Sequence, residues 1–505
     1  MLKTNLKVLL GVVLFLSLPG YALDRKSSPP DSTSLDSVQN QTHFEIRDDN
    51  QDEEIHISRS TGLRTLEVKL RGKVEFSEDN REITGISPNG YLMIRERRWF
   101  TSRILEVEGD NTATPQFRFR IRGREMPYDE RAQEWIWEIL PEVIRETGIN
   151  ADQRVQKLLS EGGVNAVFRE ISRIESSHAK SLYFQRLVDY GNLDNDDLLR
   201  VAKKVPQEIR SSSKIRTVLV AISKSHSENT ELTAALFSSA SRISSSGEKR
   251  YAIVEIAKAR PLDQFSAIEM AKAIRTISSS GEKRYALETM AKVSPNEESI
   301  ISEYLSTAEA ISSSGERANA LLFLIAEKSL DRTSWIDFAR TAKTISSSGE
   351  KRRVLQQMAA HCPPDDDVIK AYLSTTKSIS SSGEKALTIL ALDGKDELND
   401  TAFIRIFSAT KTISSSGEKS RVLRRFAATC PLSEAVLFEL TDAAFTISSN
   451  GEKVKVLREL LQRDGISNAV LRNIKQRIYE ISSSSSREKI LEMVSEKMLE
   501  GSTTL

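Results

Sequence analysis

The side chains best suited to catalysis or metal binding are few and do not form a familiar pattern. The chain of 505 residues has five histidines: His43, His56, His178, His226 and His361. None stands at His-x-x-x-His spacing or beside carboxylates at metal-ligand spacing, and no glycine-rich phosphate loop or nucleophile elbow occurs. His361 adjoins Cys362, but neighbouring side chains at a helix end diverge, which does not suit a nucleophile and its base. We expect no enzyme activity, no metal and no cofactor.

A row of arginines is the first candidate binding site. Arg118, Arg120, Arg122 and Arg124 alternate with apolar residues from Phe117 onward, so a strand here would carry all four guanidinium groups on its exposed face. Such a row could bind phosphate, a carboxylated glycan or an acidic partner. The alternative is a solvated face on which the arginines pair with glutamates of neighbouring strands.

A repeated string is the second candidate. The sequence Ile-Ser-Ser-Ser-Gly-Glu begins at Ile243 and recurs every 34 residues up to Ile413, and a variant begins at Ile447. Stacked repeats would place equivalent carboxylates in a ladder, next to Lys or Arg at the following position: Glu282, Glu316, Glu350, Glu384 and Glu418. A polar strip of this kind could recognise a periodic glycan or an extended peptide. The alternative is helix capping, with Ser279 and Glu282 forming a capping box, compensating charge pairs, and Gly281 permitting a left-handed turn.

The period of the string predicts the architecture that carries it. Degenerate copies begin at Ile174, Ile209 and Ile481, which makes ten units in all. Each unit contains two amphipathic stretches separated by a proline or a glycine, so each is a helix, a turn and a second helix. Cys362 and Cys430 lie 68 residues apart, two repeats, and are expected to be buried and unbridged. Residues 174–500 are predicted to form an α-solenoid.

Period-two alternation over residues 43–126 predicts an antiparallel β domain of six or seven strands with one buried face. Residues 127–173 have helical spacing and connect this domain to the repeats. The predicted fold class is therefore α+β, a small N-terminal antiparallel β domain followed by an αα-hairpin solenoid of about ten 34-residue repeats. A hydrolase site at the junction of sheet and helices, near Trp135 and Trp137, is a further alternative.

The N-terminus is typical of a secretory signal peptide over residues 1–22. Lys3 and Lys7 precede the apolar run 8–18, which has about half the roughly 20 residues that a membrane-spanning helix needs. Residues 23–42 are polar and without period, and are interpreted as a disordered linker. We expect a periplasmic or secreted protein without membrane insertion after cleavage. Export and the balance of 72 basic against 71 acidic residues argue against a nucleic-acid partner.

Several segments resemble a family of uncharacterised bacterial extracytoplasmic proteins. The similar segments begin at Gly72 (Gly-Lys-Val-Glu-Phe), Ile86 (Ile-Ser-Pro-Asn-Gly-Tyr-Leu), Leu140 (Leu-Pro-Glu-Val-Ile-Arg-Glu-Thr-Gly), Gly162 (Gly-Gly-Val) and Ile174 (Ile-Glu-Ser-Ser), and the repeats follow. In that family such regions occur alone or attached to membrane metallopeptidases of the β-lactam-sensor type. The peptidase's HExxH motif is missing here, so the resemblance implies the extracytoplasmic part only. The 34-residue period also matches tetratricopeptide repeats, but their signature residues are absent.

These observations favour a non-enzymatic scaffold that binds a protein or peptide partner on the concave surface of the solenoid. It would be an adaptor or sensor part of an envelope peptidase or stress system. The alternative binding function is a glycan or cell-wall module that uses the arginine row or the glutamate ladder.

Overall fold

The computed structural model describes residues 41–49, 52–224, 229–395 and 397–500. It confirms the predicted fold class, an N-terminal antiparallel sheet followed by a long array of helical hairpins. The chain divides into two compact units, one formed by the sheet with its turns and the other by the helices from Asp129 onward. The predicted signal peptide lies outside the described residues, as does the predicted linker up to residue 40, while residues 41 and 42 belong to the first strand.

The described part of the sheet unit contains nine strands: β1 (Gln41–Asp49), β2 (Asp52–Thr61), β3 (Arg64–Arg71), β4 (Val74–Phe76), β5 (Ile83–Ile86), β6 (Tyr91–Arg98), β7 (Thr101–Gly109), β8 (Pro115–Ile121) and β9 (Arg124–Met126). Seven of them form one sheet in the order β1-β2-β3-β6-β7-β8-β9, and β4 pairs with β5. Neighbours in the large sheet are all antiparallel. The connections are therefore those of a meander, interrupted once by the β4–β5 pair.

Alternation along these strands buries one face of the sheet. Val68, Ile94, Leu105 and Phe119 are paired across four strands, and each is at most 4% exposed. Their sequence neighbours point to the other face, because successive side chains of a strand alternate in direction. The prediction of a sheet with one buried face is confirmed.

The described part of the helical unit contains twenty-one α-helices: α1 (Glu130–Thr147), α2 (Ala151–Arg173), α3 (Ser177–Tyr190), α4 (Asn195–Glu208), α5 (Ser212–Ser223), α6 (Thr230–Ala240), α7 (Ser246–Ala259), α8 (Gln264–Arg275), α9 (Ser280–Val293), α10 (Glu298–Glu309), α11 (Ser314–Glu327), α12 (Arg332–Lys343), α13 (Ser348–His361), α14 (Asp366–Lys377), α15 (Ser382–Leu390), α16 (Asp400–Lys411), α17 (Ser416–Ala427), α18 (Glu434–Phe445), α19 (Asn450–Leu461), α20 (Asn468–Arg477) and α21 (Ser484–Glu500). Helix α2 is broken at Gly162 and Gly163, whose backbone angles are not helical. None of the described helices is both long and apolar enough to cross a bilayer.

Helices α3 to α20 form nine hairpins, one for each predicted unit from Ile174 to Ile447. The first helices of successive units pack on one another, as α5, α7 and α9 do, and the second helices form a parallel layer, as α6, α8 and α10 do. One continuous hydrophobic core runs between the two layers from Ala151 to Val494. In the unit from Ile481 the described residues contain a single α-helix, α21.

The isoleucine that opens the string ends each second helix. In every unit it is at most 2% exposed, from Ile174 to Ile481. Its backbone N–H closes the last turn of that helix, as at Ile277, which donates to the carbonyl of Ile274 at 3.0 Å. The following serines then turn the chain into the next first helix. The string is therefore a rigid junction and not a linker.

Candidate functional site

The serines of the string form hydrogen bonds between consecutive units. The hydroxyl of the third serine in one string lies 2.8 Å from that of the first serine in the next, as in Ser246 with Ser278. Equivalent pairs lie at 2.8 to 3.2 Å at six more junctions: Ser212–Ser244, Ser280–Ser312, Ser314–Ser346, Ser348–Ser380, Ser382–Ser414 and Ser416–Ser448. In the Ile447 unit Asn450 replaces the third serine, and its amide donates to Ser482 at 2.6 Å. The row continues along the array because both partners recur every 34 residues.

The second serine of each string caps the following helix, as predicted, but the reciprocal half of the capping box is not what the sequence indicated. Ser279 accepts from the backbone N–H of Glu282 at 3.5 Å. The backbone N–H of Ser279 donates to Ser246 of the preceding unit at 3.3 Å, so it is satisfied from outside its own helix. The predicted box is wrong in this half, because stacking supplies an acceptor that a single unit lacks.

The five glutamates of the predicted ladder are all ion-paired with arginine. Three of them pair with an arginine on the first helix of the preceding unit: Arg250 with Glu282, Arg284 with Glu316 and Arg352 with Glu384. Alanine occupies that arginine position in two units, and there the next glutamate pairs within its own helix: Glu350 with Arg353 at 2.6 Å and Glu418 with Arg421 at 2.5 Å. The ladder is thus a series of charge pairs between and within units.

The basic residue after each glutamate is not part of a surface strip, which corrects the expectation that the two charges lie side by side. Lys283 is 5% exposed, and its ammonium group donates to the carbonyl of Ala310 at 2.9 Å, at the C-terminus of the second helix of the same unit. Burial lowers the pKa of Lys283. Arg317 makes the equivalent bond to Thr344 at 2.6 Å. These cations neutralise unpaired carbonyls at the negative end of a helix dipole.

The glycine of the string is not required by the backbone, contrary to prediction. Gly281 lies in the first turn of α9 without a left-handed angle, and a Cβ atom there would meet nothing within 4 Å. The same open space surrounds the equivalent glycines of the other strings: Gly247, Gly315, Gly349, Gly383, Gly417 and Gly451. Neither a turn nor close packing within the chain explains the glycine.

Part of the predicted arginine row is present, and its arginines are paired. Arg118 and Arg120 lie on one face of β8, opposite the sheet face that is buried. Arg118 contacts Glu108 at 3.2 Å, and Arg120 donates to Glu106 at 2.7 Å. The cross-strand partners that the sequence offered as an alternative are therefore the ones used.

The prediction that Arg122 and Arg124 continue this row is wrong. Strand β8 ends at Ile121, and Arg122 occupies a two-residue turn with a left-handed φ of +52°. Arg124 begins β9 and is paired with Ile121, so its side chain belongs to the opposite face from Arg118. The turn reverses the chain direction and ends the alternation.

A groove between α12 and α14, on the layer of second helices, is a site that the sequence did not reveal. Its volume is about 360 Å³, and its lining includes Ile336 and Ala371 together with Arg340, Lys343 and Lys370. Arg340 pairs with an aspartate of its own helix, whereas Lys343 and Lys370 are exposed and have no ion-pair partner among the described residues. Asp367, also in the lining, is paired with Arg332. The groove thus combines an apolar floor with an excess of positive charge.

The remaining candidates for chemistry are dispersed. Cys362 and Cys430 are buried free cysteines, as predicted, and burial raises the pKa of both thiols. Trp135 is buried and Trp137 is 40% exposed on α1. His226 lies outside the described residues, and within them no group of three His, Cys, Asp or Glu side chains could hold a metal ion.

Comparison of the chain with protein-family models finds no match, and comparison with curated proteins finds none either. The resemblance to extracytoplasmic regions of sensor-type metallopeptidases therefore stays a prediction.

Proposed function

We propose that the protein is a non-enzymatic scaffold whose helical array binds an extended, acidic segment of a protein partner in the groove between α12 and α14. The observation that carries the proposal is the pair of lysines, Lys343 and Lys370, that face this groove without a carboxylate partner among the described residues. An acidic side chain entering the groove would pair with them, and apolar side chains would cover Ile336 and Ala371.

Charge in the surroundings supports an anionic occupant. The proximity of Lys343, after desolvation, lowers the pKa of Lys351, which indicates a positive potential around Lys343. Asp367 does not cancel this potential because Arg332 already holds its carboxylate. A peptide with alternating acidic and apolar residues therefore fits the groove better than a neutral glycan does.

Localisation and pathway are further parts of the proposal. Residues 1–22 support export, and the resemblance of the β region and repeats supports an adaptor or sensor role in an envelope peptidase or stress system. N-terminal sequencing of the protein from a periplasmic fraction tests export, and we expect it to begin at Leu23. An uncleaved cytoplasmic protein would contradict this part and leave the groove hypothesis untouched.

Binding is tested by fluorescence anisotropy with a labelled peptide that alternates Glu and Leu, against the same peptide with Gln in place of Glu. We expect the full chain to prefer the acidic peptide and the double variant Lys343→Glu, Lys370→Glu to weaken that binding at least about tenfold, because two attractions become repulsions. The matched control is Lys157→Glu with Lys203→Glu, which reverses two exposed lysines of the same unit outside the groove. Equal loss in both double variants would mean that net charge alone drives binding, and would end the proposal.

A further inference from the structure

Three two-residue turns lie side by side at one end of the sheet. Gly62–Leu63 joins β2 to β3, Trp99–Phe100 joins β6 to β7, and Arg122–Gly123 joins β8 to β9. The register places them together, since Arg64 pairs with Arg98 and the backbone N–H of Trp99 donates to the carbonyl of Leu63 at 3.2 Å. The N–H of Arg122 donates to Ser102 at 2.8 Å, which brings in the third turn.

These turns expose large apolar side chains to solvent. Leu63 is 63% exposed, Trp99 75% and Phe100 88%. Leu63 and Trp99 are adjacent through their backbone hydrogen bond, and Phe100 follows Trp99 in the chain. Together they form a contiguous apolar tip that gains little from burial in the folded chain.

The local backbone makes the choice of tryptophan costly. The other two turns place glycine at a positive φ, +56° at Gly62 and +79° at Gly123, whereas the middle turn places Trp99 at +51°. Two-residue hairpin turns favour Gly, Asn or Asp at such positions because a bulky side chain is strained there. Neither backbone preference nor core packing accounts for Trp99.

Arginines surround the tip. Arg97, Arg122 and Arg124 are exposed and have no partner among the described residues, whereas Arg64 and Arg98 both hold the buried Glu96 at 2.7 Å. We call Leu63, Trp99, Phe100 and the arginines Arg97, Arg122 and Arg124 the turn cluster. Its apolar centre and its unpaired cations lie at the same end of the sheet.

We propose that the turn cluster docks the protein on the surface of an anionic phospholipid bilayer. Tryptophan prefers the interface between headgroups and acyl chains, and arginine binds phosphate through several N–H groups at once. The cluster consists of turn side chains whose neighbouring backbone groups are already hydrogen-bonded, so it offers an acidic peptide neither a groove nor a strand edge. Leu63, Trp99 and Phe100 enter the headgroup layer, and the arginines contact lipid phosphates. This contact is peripheral and requires no spanning segment.

Partition of the full chain onto sedimenting vesicles tests this proposal. We expect binding to phosphatidylcholine vesicles that contain a quarter phosphatidylglycerol, and much weaker binding to phosphatidylcholine alone. Replacing all three arginines, Arg97→Gln, Arg122→Gln and Arg124→Gln, should weaken partition on the order of 100-fold, since each basic residue near such a surface strengthens binding about fivefold. The variant Trp99→Ser, Phe100→Ser should lose about tenfold or more.

Controls separate docking from misfolding and from other membrane contacts. The apolar segment 8–18 is present in every variant, so differences between variants report on the turn cluster alone. Tyr479→Ser removes an aromatic residue that is 76% exposed in the helical unit and should leave partition unchanged. Trp99→Phe should keep partition while removing quenching of tryptophan emission by brominated lipid.

Equal partition of wild type and both cluster variants would overturn the proposal. So would cluster variants that partition normally but lose binding to a protein, because the tip would then be a protein contact. Circular dichroism of each variant establishes that the fold is retained. The groove between α12 and α14 plays no part in this assay, so the two proposals stand or fall separately.

Discussion

The hydroxyl of Ser280 lies 2.9 Å from that of Ser312, which belongs to the next unit. The same oxygen also accepts from the backbone N–H of Ser313 at 3.3 Å. One side-chain atom therefore joins two consecutive units, and it recurs at the same place along the array.

Replacing this serine should weaken the array locally. Ser280→Ala removes both contacts to the next unit, and we expect a loss of about 1 to 2 kcal/mol in the free energy of unfolding, because the N–H of Ser313 must then turn to water. Thermal or urea unfolding of the full chain followed by circular dichroism measures this. Ser306→Ala, at an exposed position on α10, is the matched control. A loss no larger than that of the control would mean that water replaces the serine contacts fully.

Gly281→Ala should be neutral or stabilising. The new Cβ atom meets nothing within 4 Å, and alanine is favoured over glycine in a helix by up to about 1 kcal/mol. The unfolding midpoint of the single variant, or of variants in several strings together, provides the measurement. A clear fall in stability would show that the glycine has a backbone role.

Lys283 should tolerate arginine but not methionine. Methionine keeps most of the apolar stem but leaves the carbonyl of Ala310 without its donor, which costs about 1 to 2 kcal/mol. Arginine already performs this task at Arg317, so Lys283→Arg should unfold near the wild-type midpoint. If both variants were equally destabilised, packing of the lysine stem and not its hydrogen bond would be the stabilising contribution.

Acid should destabilise the start of the array through Glu208. Partial burial alone would raise the pKa of this carboxyl group, but hydrogen bonds from Lys180 at 2.8 Å, Ser172 at 2.7 Å and Lys204 lower it to about 2. The folded-state pKa lies below the unfolded value of 4.5, so the stabilisation is present above about pH 4.5 and is lost as pH falls towards 2. It amounts to at most about 3 kcal/mol.

Unfolding free energies measured between pH 6 and 2 test this dependence. Glu208→Gln should be less stable than wild type at pH 6, and the difference should shrink as the pH falls towards 2. A difference that stays constant over this range would contradict the low pKa. The matched control Glu309→Gln changes an exposed carboxylate for which no such shift is found.

The sequence alone determined the repeat, the order of helices and the fold class. A period of 34 residues, a buried isoleucine and a serine cap are local features, and each unit repeats them in the chain itself. The alternation that predicted the sheet is local as well. The hairpins and the buried sheet face therefore followed from the residues.

The tertiary structure decided which side chains meet. Ser280 and Ser312 are 32 positions apart, and Lys283 and Ala310 are 27 apart, so their contacts depend on the rise and rotation between stacked helices. Hydrophobic periodicity constrains which face is buried but does not fix that rise or rotation. For the same reason the ladder of glutamates became a set of pairs with arginine. The position of Arg122 in a turn, and the meeting of Trp99 with Leu63, likewise depended on where strands end and how they align.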